Sequence, residues 1–251
     1  AGAHRGNPAW MAVAHVSQPT ADTPISITLF GRSVRIDAAA EGFAATVLQP
    51  GGGNPLRHEV VDGLIYVNLS GNAEPLAPQV VGLSERLAKI RMDELVSAME
   101  LEYTVPFNWK ILVETFMECY HHIAAHTSTF EPSFPARLSK IEVGYPAWTS
   151  GYSRAHNTVP DDQITIGLPA LANDLTEHER RCFFLYLIYP NTLLAVWPDR
   201  IFWFRTQPDG PTSTRLQTIE LVRPEALAPQ YSEILAKEKE FFDFFNREGI
   251  A

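Results

Sequence analysis

The sequence predicts an α+β fold, in which a small β unit precedes a helix, an antiparallel sheet and a long terminal helix. Three observations lead to this prediction. Apolar and polar residues alternate through residues 25–36, which is typical of a β-hairpin. Residues 107–122 instead carry apolar side chains at helical spacing. Residues 183–222 contain short apolar runs separated by turn residues, as in a β-meander. Separate blocks of β and α structure are typical of the α+β class.

The first part of the chain is predominantly of strand character. We predict strands at residues 25–30, 33–36 and 63–69. Residues 49–55 carry three consecutive glycines between two prolines, which predicts a loop. The prolines of residues 71–82 indicate a linker. We therefore divide the chain there, into a domain of residues 1–77 and a domain of residues 78–251.

The second part of the chain alternates between helical and β patterns. The predicted helices are residues 83–98, 107–122 and 224–246, and the predicted strands are residues 98–105, 183–189, 192–197, 201–206 and 212–222. The Pro190-Asn191 and Pro198-Asp199 pairs predict turns between consecutive strands. Residues 128–135 predict a loop.

The composition excludes some classes of function. A formal charge of −9 and a pI near 5.4 argue against nucleic-acid binding, which needs a concentrated basic surface. The sequence contains no stretch of about 18 apolar residues, so it predicts no membrane-spanning helix. The first residues lack the pattern of a signal peptide. We therefore expect a cytoplasmic protein. Two cysteines, Cys119 and Cys182, are too few for a disulfide framework, and we expect buried free thiols.

A histidine cluster is the strongest candidate for a functional site. His121, His122 and His126 are three of the eight histidines, and neutral imidazole is a common metal ligand. Helical spacing favours the pair His122 and His126, which are four residues apart. His121 and His126 differ by roughly 140° around an ideal helix, so they converge only if the helix ends or distorts between them. The alternative is a polar helix end whose histidines are solvated.

The segment around this cluster resembles a known motif. It reads Asn108-Trp109-Lys110, then Glu114, then Glu118-Cys119-Tyr120-His121, with His126 five residues later. This order is similar to the iron-binding helix of the Rieske oxygenase α subunit family. Two further segments, residues 62–69 and residues 189–194, resemble a Rieske-domain strand and a catalytic-domain strand of the same family. The resemblance thus extends over most of the chain.

The resemblance implies a fold and a set of site residues. It implies a helix-grip catalytic domain, with an antiparallel sheet around a long helix, preceded by an incomplete Rieske-like small β domain. It implies His121 and His126 as ligands of a mononuclear Fe(2+), with His122 outside the ligand set. Glu118 occupies the position of the family's bridging acid, which links an iron histidine to the cluster of a neighbouring subunit, and we expect it to be a catalytic residue in that role.

The resemblance also implies an activity and partners. The expected function is Fe(2+)- and O2-dependent hydroxylation or oxidative demethylation of a small organic substrate, either aromatic or quaternary ammonium. A reductase or ferredoxin would deliver electrons through a [2Fe–2S] Rieske cluster, and the expected assembly is a homotrimer. Two rival hypotheses remain open: a helix-grip ligand-binding protein without redox catalysis, and a zinc hydrolase that uses His122 and His126.

The sequence departs from the family at the cofactor positions. A Rieske cluster needs two cysteines and two histidines, and the chain has neither a Cys-x-His nor a Cys-x-x-His box. The cluster loops should fall between Arg35 and Gly63, an interval too short for them. The third iron ligand in the family is an aspartate of the last helix, and we expect it beyond Ala251. Asp243 lies roughly two to three helical turns too early, and we interpret it as a solvated residue. Thr115 stands where the family often has asparagine.

Aromatic residues in the predicted sheet do not distinguish between two classes of substrate. Such residues are more often core than pocket. If several of them faced one cavity, they would suit an aromatic hydrocarbon or would cage a quaternary ammonium group. The residues concerned are Trp148, Trp197, Phe202, Trp203 and Phe204.

Overall fold

The first part of the chain forms two small antiparallel sheets. The protein is described from a computed structural model, which covers residues 9–50, 52–142 and 144–250. The strands are β1 (Trp10–His15), β2 (Ile25–Leu29), β3 (Arg32–Ala39), β4 (Gly42–Gln49), β5 (Gly52–Pro55), β6 (Arg57–Val61) and β7 (Leu64–Asn68). One sheet has the order β2-β3-β4-β5 and the other has the order β1-β7-β6. From β2 to β7, consecutive strands are joined by only one or two residues.

The predicted loop at residues 49–55 is wrong in part. Gly52–Pro55 is strand β5, which pairs antiparallel with the end of β4 through residues such as Thr46 and Val47. Composition predicted a loop because glycine and proline are depleted in strands. Here the backbone groups of β5 pair with those of β4. Amino-acid composition does not predict such pairing between strands.

The predicted helix of residues 83–98 is also wrong in its second half. Helix α1 covers only Val81–Leu87, and two short 3-10 turns follow it before the next strand begins at Val96. The helical conformation is interrupted at Arg91, whose φ of 51° lies in the left-handed region. Gly63 packs against this segment, and a Cβ on it would lie 2.8 Å from the backbone of Asp93. The close approach therefore requires glycine.

The second part of the chain is built on one large antiparallel sheet. Its seven strands are β8 (Val96–Val105), β9 (Ser139–Ile141), β10 (Trp148–Arg154), β11 (Cys182–Ile188), β12 (Thr192–Val196), β13 (Ile201–Pro208) and β14 (Thr214–Val222). Their order is β8-β14-β13-β12-β11-β10-β9. The predicted meander, which corresponds to β11 to β14, is confirmed. With the helices below, the structure confirms the predicted α+β class.

Two helices cover one face of the large sheet, and the three-stranded sheet β1-β7-β6 packs against the other. These two helices are α2 (Trp109–Met117) and α4 (Ser232–Ile250), and a short helix, α3 (Glu177–Arg180), precedes β11. Aromatic residues of α2 and α4 share a core with Phe202 and Phe204 of β13. Trp10 and Tyr66 of the small sheets share another core with Trp203, on the opposite face. No helix in the described part of the chain is both long and apolar enough to cross a bilayer.

Both functionally relevant helices have boundaries different from those predicted. Helix α2 ends at Met117, because Glu118 is extended, with φ −106° and ψ 135°. Helix α4 begins at Ser232, because Pro224 and Pro229 each start a short 3-10 turn instead. Proline has no N–H to donate, so it favours the first turn of a helix over its interior.

Candidate active site

The break after α2 brings two histidines together. Residues Tyr120–Ile123 form a 3-10 turn, and the peptide N–H of Ala125 then bonds to the carbonyl of His121 at 2.7 Å. The ring centroids of His121 and His126 lie 5.4 Å apart. Those of His122 and His126, which an ideal helix would favour, are 6.2 Å apart, and those of the neighbours His121 and His122 are 4.8 Å apart. Helix α2 therefore ends before His121, which is the condition under which His121 and His126 can converge.

His121 is oriented by Glu118. Its Nδ1 lies 2.7 Å from the carbonyl oxygen of Glu118 and 3.1 Å from the Glu118 carboxylate. The backbone N–H of His121 donates to the same carboxylate at 3.0 Å. Because both neighbouring Glu118 atoms are acceptors, Nδ1 of His121 is the donor in these contacts. In the described part of the chain, no hydrogen bond is made to Nε2 of His121.

His126 is buried against the last helix. Its ring stacks on Phe245 with centroids 4.0 Å apart and an interplanar angle of 14°. Its Nδ1 lies 3.4 Å from the Glu248 carboxylate, which also accepts a hydrogen bond from Thr129 at 2.9 Å. Burial lowers the pKa of His126, although Glu248 opposes this shift. The imidazole is therefore neutral near pH 7, as metal ligation requires.

His122 has a different environment. It is buried, and its Nδ1 lies 3.1 Å from the carbonyl oxygen of Phe134. Its ring meets that of Phe130 edge-to-face at 5.2 Å. Burial lowers the pKa of His122 to about 4. These contacts are those of a packed core histidine that uses its one N–H on the backbone.

Two carboxylates of α4, Asp243 and Glu248, lie in different environments. Asp243 accepts a hydrogen bond from the Tyr103 hydroxyl at 2.7 Å and another from Arg247 at 2.9 Å. Those hydrogen bonds, with Arg247 as the larger cause, lower the pKa of Asp243. Asp243 is thus engaged away from the histidines, and Glu248 is the carboxylate that meets His126. Within the described ranges, no three His, Cys, Asp or Glu side chains are grouped to hold a metal ion.

Two cavities flank the histidine pair. The larger, about 200 Å³, lies between α2 and α4, and the smaller, about 110 Å³, extends under the aromatic residues of the large sheet. Both are lined by His121, His126, Phe116, Phe204 and Phe245. Among the described residues, neither lining contains a lysine, arginine, aspartate or glutamate. The space beside the imidazoles is therefore apolar.

The aromatic residues singled out in the sequence divide between the two faces of the sheet. Trp197, Phe202 and Phe204 line the smaller cavity. Trp148 and Trp203 are 2% and 0% exposed in the core on the opposite face. The alternation of side chains along a strand produces this division.

The described residues do not fit a Rieske cluster. Cys119 and Cys182 are both buried and free, which confirms the expectation for the thiols. Burial raises the pKa of each, so neither is poised as the thiolate that iron needs. Between Arg35 and Gly63 the chain runs through paired strands with connections of at most two residues. Among the described residues of that interval, no connection has the length or the cysteine ligands of a cluster-binding loop.

Comparison with protein families decides the relationship. The family described as ring hydroxylating alpha subunit (catalytic domain) matches residues 92–250, which is more than half of the 251 residues. The chain belongs to the ring-hydroxylating alpha subunit family. The matched segment begins near β8 and includes α2, the histidine pair and α4. Family membership agrees with the resemblance seen in the motif of residues 108–126.

Curated relatives and solved structures agree with this family. The carnitine monooxygenase oxygenase subunit of Acinetobacter baumannii is 35% identical over 74 residues, which are 29% of this chain and 20% of that protein. The corresponding subunit of Escherichia coli K12 is 31% identical over 74 residues. The aligned segment thus spans about a fifth of the length of these relatives.

The fold is shared with Rieske oxygenases. The structure of a quaternary ammonium Rieske monooxygenase has a TM-score of 0.75 at 18% identity, over 96% of this chain and 76% of that one. Naphthalene 1,2-dioxygenase with indole bound has a TM-score of 0.71 at 13% identity, over 98% and 74% of the two chains. Identities this low establish the fold alone. The two structural matches confirm the predicted α+β fold with its helix-grip domain and Rieske-like β unit.

The sequence missed the contribution of the last helix to the site. Phe245 and Glu248 both contact His126, whereas the sequence pattern pointed only to Asp243 on that helix. A spacing of three residues places Phe245 and Glu248 on one helix face. That signal was present, but nothing local says which face of α4 meets the histidines.

Proposed function

We propose that this chain is the substrate-oxidising part of an Fe(2+)- and O2-dependent oxygenase in which His121 and His126 hold the iron. The observation that carries the proposal is the convergence of two oriented imidazoles, with ring centroids 5.4 Å apart, beside an apolar cavity. Iron held by two histidines and one carboxylate keeps coordination positions open for oxygen chemistry. We propose that the carboxylate comes from outside residues 9–250, since Asp243 is engaged elsewhere.

The residues around the imidazoles have defined tasks in this proposal. The Glu118 carbonyl and carboxylate hold the His121 ring through Nδ1, which would leave Nε2 as the nitrogen that binds iron. Glu248 does the same for His126, and Phe245 covers one face of that ring. Outer partners of this kind orient the ligand and raise its basicity. The aromatic walls exclude water from the space where a substrate would lie.

The preferred substrate class is a neutral aromatic molecule. The cavity linings are formed mainly by phenylalanine, leucine and tryptophan, without a charged side chain among the described residues. Burying an ionic group of a substrate there would cost free energy without a compensating partner. One oxygen atom would enter the substrate and the other would leave as water, with two electrons and two protons consumed in a monooxygenation.

A quaternary ammonium compound is the second candidate substrate. Trp197, Phe202 and Phe204 face one cavity together with further phenylalanines, and aromatic rings attract ammonium cations. The sequence relatives are carnitine monooxygenase subunits. Carnitine also carries a carboxylate, for which neither described lining offers a basic side chain. This candidate therefore ranks below an uncharged aromatic substrate.

The test of the metal site compares three alanine variants under anaerobic titration with Fe(2+). We expect His121→Ala and His126→Ala to lose most iron binding, because each removes an imidazole beside the cavity. His122→Ala should retain it, because the Nδ1 of His122 is used on the Phe134 carbonyl. Loss of iron in His122→Ala with retention in His121→Ala would exclude the proposed pair. Absence of iron binding in every form would show that the two imidazoles do not hold iron without the third ligand, and would contradict the proposed site in this chain.

The proposed partners are an electron donor and two further copies of the chain. Glu118 is 43% exposed at its side chain while it contacts His121, so it is accessible from outside. Tyr120 and Ile123, which are 78% and 52% exposed, lie next to it in the sequence. We propose that this surface receives a neighbouring subunit's Rieske domain in a homotrimer, and that a reductase or ferredoxin reduces the cluster. A head-to-tail interface of this kind closes into a ring. Sedimentation of an active parent protein as a monomer would exclude the arrangement.

The division of the chain at residue 77 is part of the same proposal. The strands of the two small sheets all lie before it, and the seven strands of the large sheet all lie after it. Limited proteolysis tests the boundary. Preferential cleavage within residues 71–82 is expected, and resistance of that segment with cleavage elsewhere would contradict the division.

A further inference from the structure

Asn246 is a polar residue on the wall of the larger cavity. It follows Phe245, which stacks on His126, and it is 7% exposed. Its amide nitrogen is buried and has no hydrogen-bond partner among the described residues. The cavity wall is otherwise apolar, apart from the two histidines and Thr115. Asn246 thus places an amide nitrogen without a hydrogen-bond partner in the wall of the cavity that His121 and His126 also line.

The Tyr103 phenol does not satisfy this amide. The Tyr103 hydroxyl donates a hydrogen bond to the Asp243 carboxylate at 2.7 Å. Burial and the bonded Asp243 carboxylate raise the pKa of Tyr103 to about 12, and the nearby Asn246 amide opposes that rise. The amide nitrogen nevertheless lies outside hydrogen-bonding geometry. An unsatisfied buried donor reduces stability, so a bound molecule that accepts a hydrogen bond would be favoured at this position.

We propose that Asn246 determines substrate specificity, by donating a hydrogen bond to an acceptor atom of an otherwise apolar substrate. This proposal rests on the proposed function, and it restricts the substrate class to aromatic molecules that carry a hydrogen-bond acceptor. The preferred molecule has an aromatic body for the phenylalanine-lined walls and one uncharged acceptor, such as a carbonyl or ether oxygen. That acceptor, held by α4, fixes which part of the aromatic body faces His121 and His126.

The experiment compares two probes of nearly equal shape on the metal-free full chain. Acetophenone carries a carbonyl oxygen where α-methylstyrene carries a methylene group, and neither ionises. Their dissociation constants are measured by calorimetry for the wild type and for Asn246→Leu. Asn173→Leu, the same change at an exposed position, is the matched control. Because no iron, oxygen or turnover is involved, the result does not depend on whether the oxygenase proposal is correct.

We expect the wild type to prefer acetophenone, and Asn246→Leu to reduce that preference about tenfold, which corresponds to about 1.4 kcal/mol. Asn173→Leu should leave the preference unchanged. An unchanged preference in Asn246→Leu, or failure of both probes to bind the wild type, would overturn the proposal. A loss of preference in Thr115→Val but not in Asn246→Leu would assign the anchor to Thr115 and would overturn it as well.

Thermal unfolding separates a binding role from a structural one. If the Asn246 amide is unsatisfied in the free protein, Asn246→Leu should unfold at the same temperature as the wild type or above it, since replacing an unpaired polar group by an apolar one is neutral or stabilising. A clearly lower unfolding temperature would show that the amide has a structural partner. That outcome would contradict the premise of the proposal.

Discussion

Replacing Glu220 by glutamine should remove a large pH dependence of stability. Glu220 is fully buried on β14, and neither of its carboxylate oxygens has a hydrogen-bond partner in the described part of the chain. Arg200 is 3.9 Å away, but it already bonds to Asp199 at 2.7 Å and to Glu238 of α4 at 2.8 Å. Burial, only partly opposed by Arg200, raises the pKa of Glu220 to about 8.

The sign and size of the effect follow from that pKa. An unfolded glutamate titrates near pH 4.3, so between about pH 4.3 and pH 8 the folded protein retains a proton that the unfolded chain has lost. Stability therefore falls as pH rises through this window. A difference of about 3.7 pKa units corresponds to about 5 kcal/mol over the whole window. Below the unfolded pKa the carboxyl is neutral in both states, and the cost vanishes.

Urea unfolding at pH 5.5, 7 and 8.5 would measure this contribution. Glutamine is neutral at each pH, so Glu220→Gln should be more stable than the wild type, by a margin that grows toward pH 8.5. The exposed Glu225→Gln is the matched control and should follow the wild type. If Glu220→Gln and the wild type lose stability equally between pH 5.5 and 8.5, Glu220 is ionised in the folded state and the reasoning is wrong.

Two further predictions concern electron delivery. In a full-length parent that carries the cluster, Glu118→Gln should retain most of its iron and lose about 10- to 100-fold in turnover, because the carboxylate orients His121; normal turnover would reduce Glu118 to a structural acid. The chain of residues 1–251, supplied with reductase and NADH, should turn over no substrate, because its two cysteines do not form a Rieske box. A Rieske absorption band in the purified chain would contradict this.

The sequence alone was sufficient for the elements that local chemistry specifies. The strands of the meander were predicted close to their observed bounds, because turn residues such as Pro190 and Asn191 separate their apolar runs. The spacing of Glu118, His121 and His126 identified the candidate site, because it resembles a family motif. These signals lie within short windows and need no knowledge of distant contacts.

Where each element ends was decided by contacts between distant residues. Helical periodicity continues past Met117 and past Leu87, yet both helices stop there. After Leu87, the helix cannot continue through Arg91, because Arg91 has a left-handed backbone conformation. Gly63 also packs closely against the backbone of Asp93 in this segment. Propensity is a weak prior, which tertiary packing overrides.

The sequence by itself determined the fold class, the sheet meander and the histidine motif. Only the tertiary structure decided which groups surround the histidines: Phe245 stacked on His126, Glu248 at its Nδ1, and Asp243 turned toward Tyr103. Residues 126 and 248 are 122 positions apart, and their meeting depends on how α4 packs across the sheet. Hydrophobic patterning specifies that a helix face is buried, but the facing surface decides which side chains it meets.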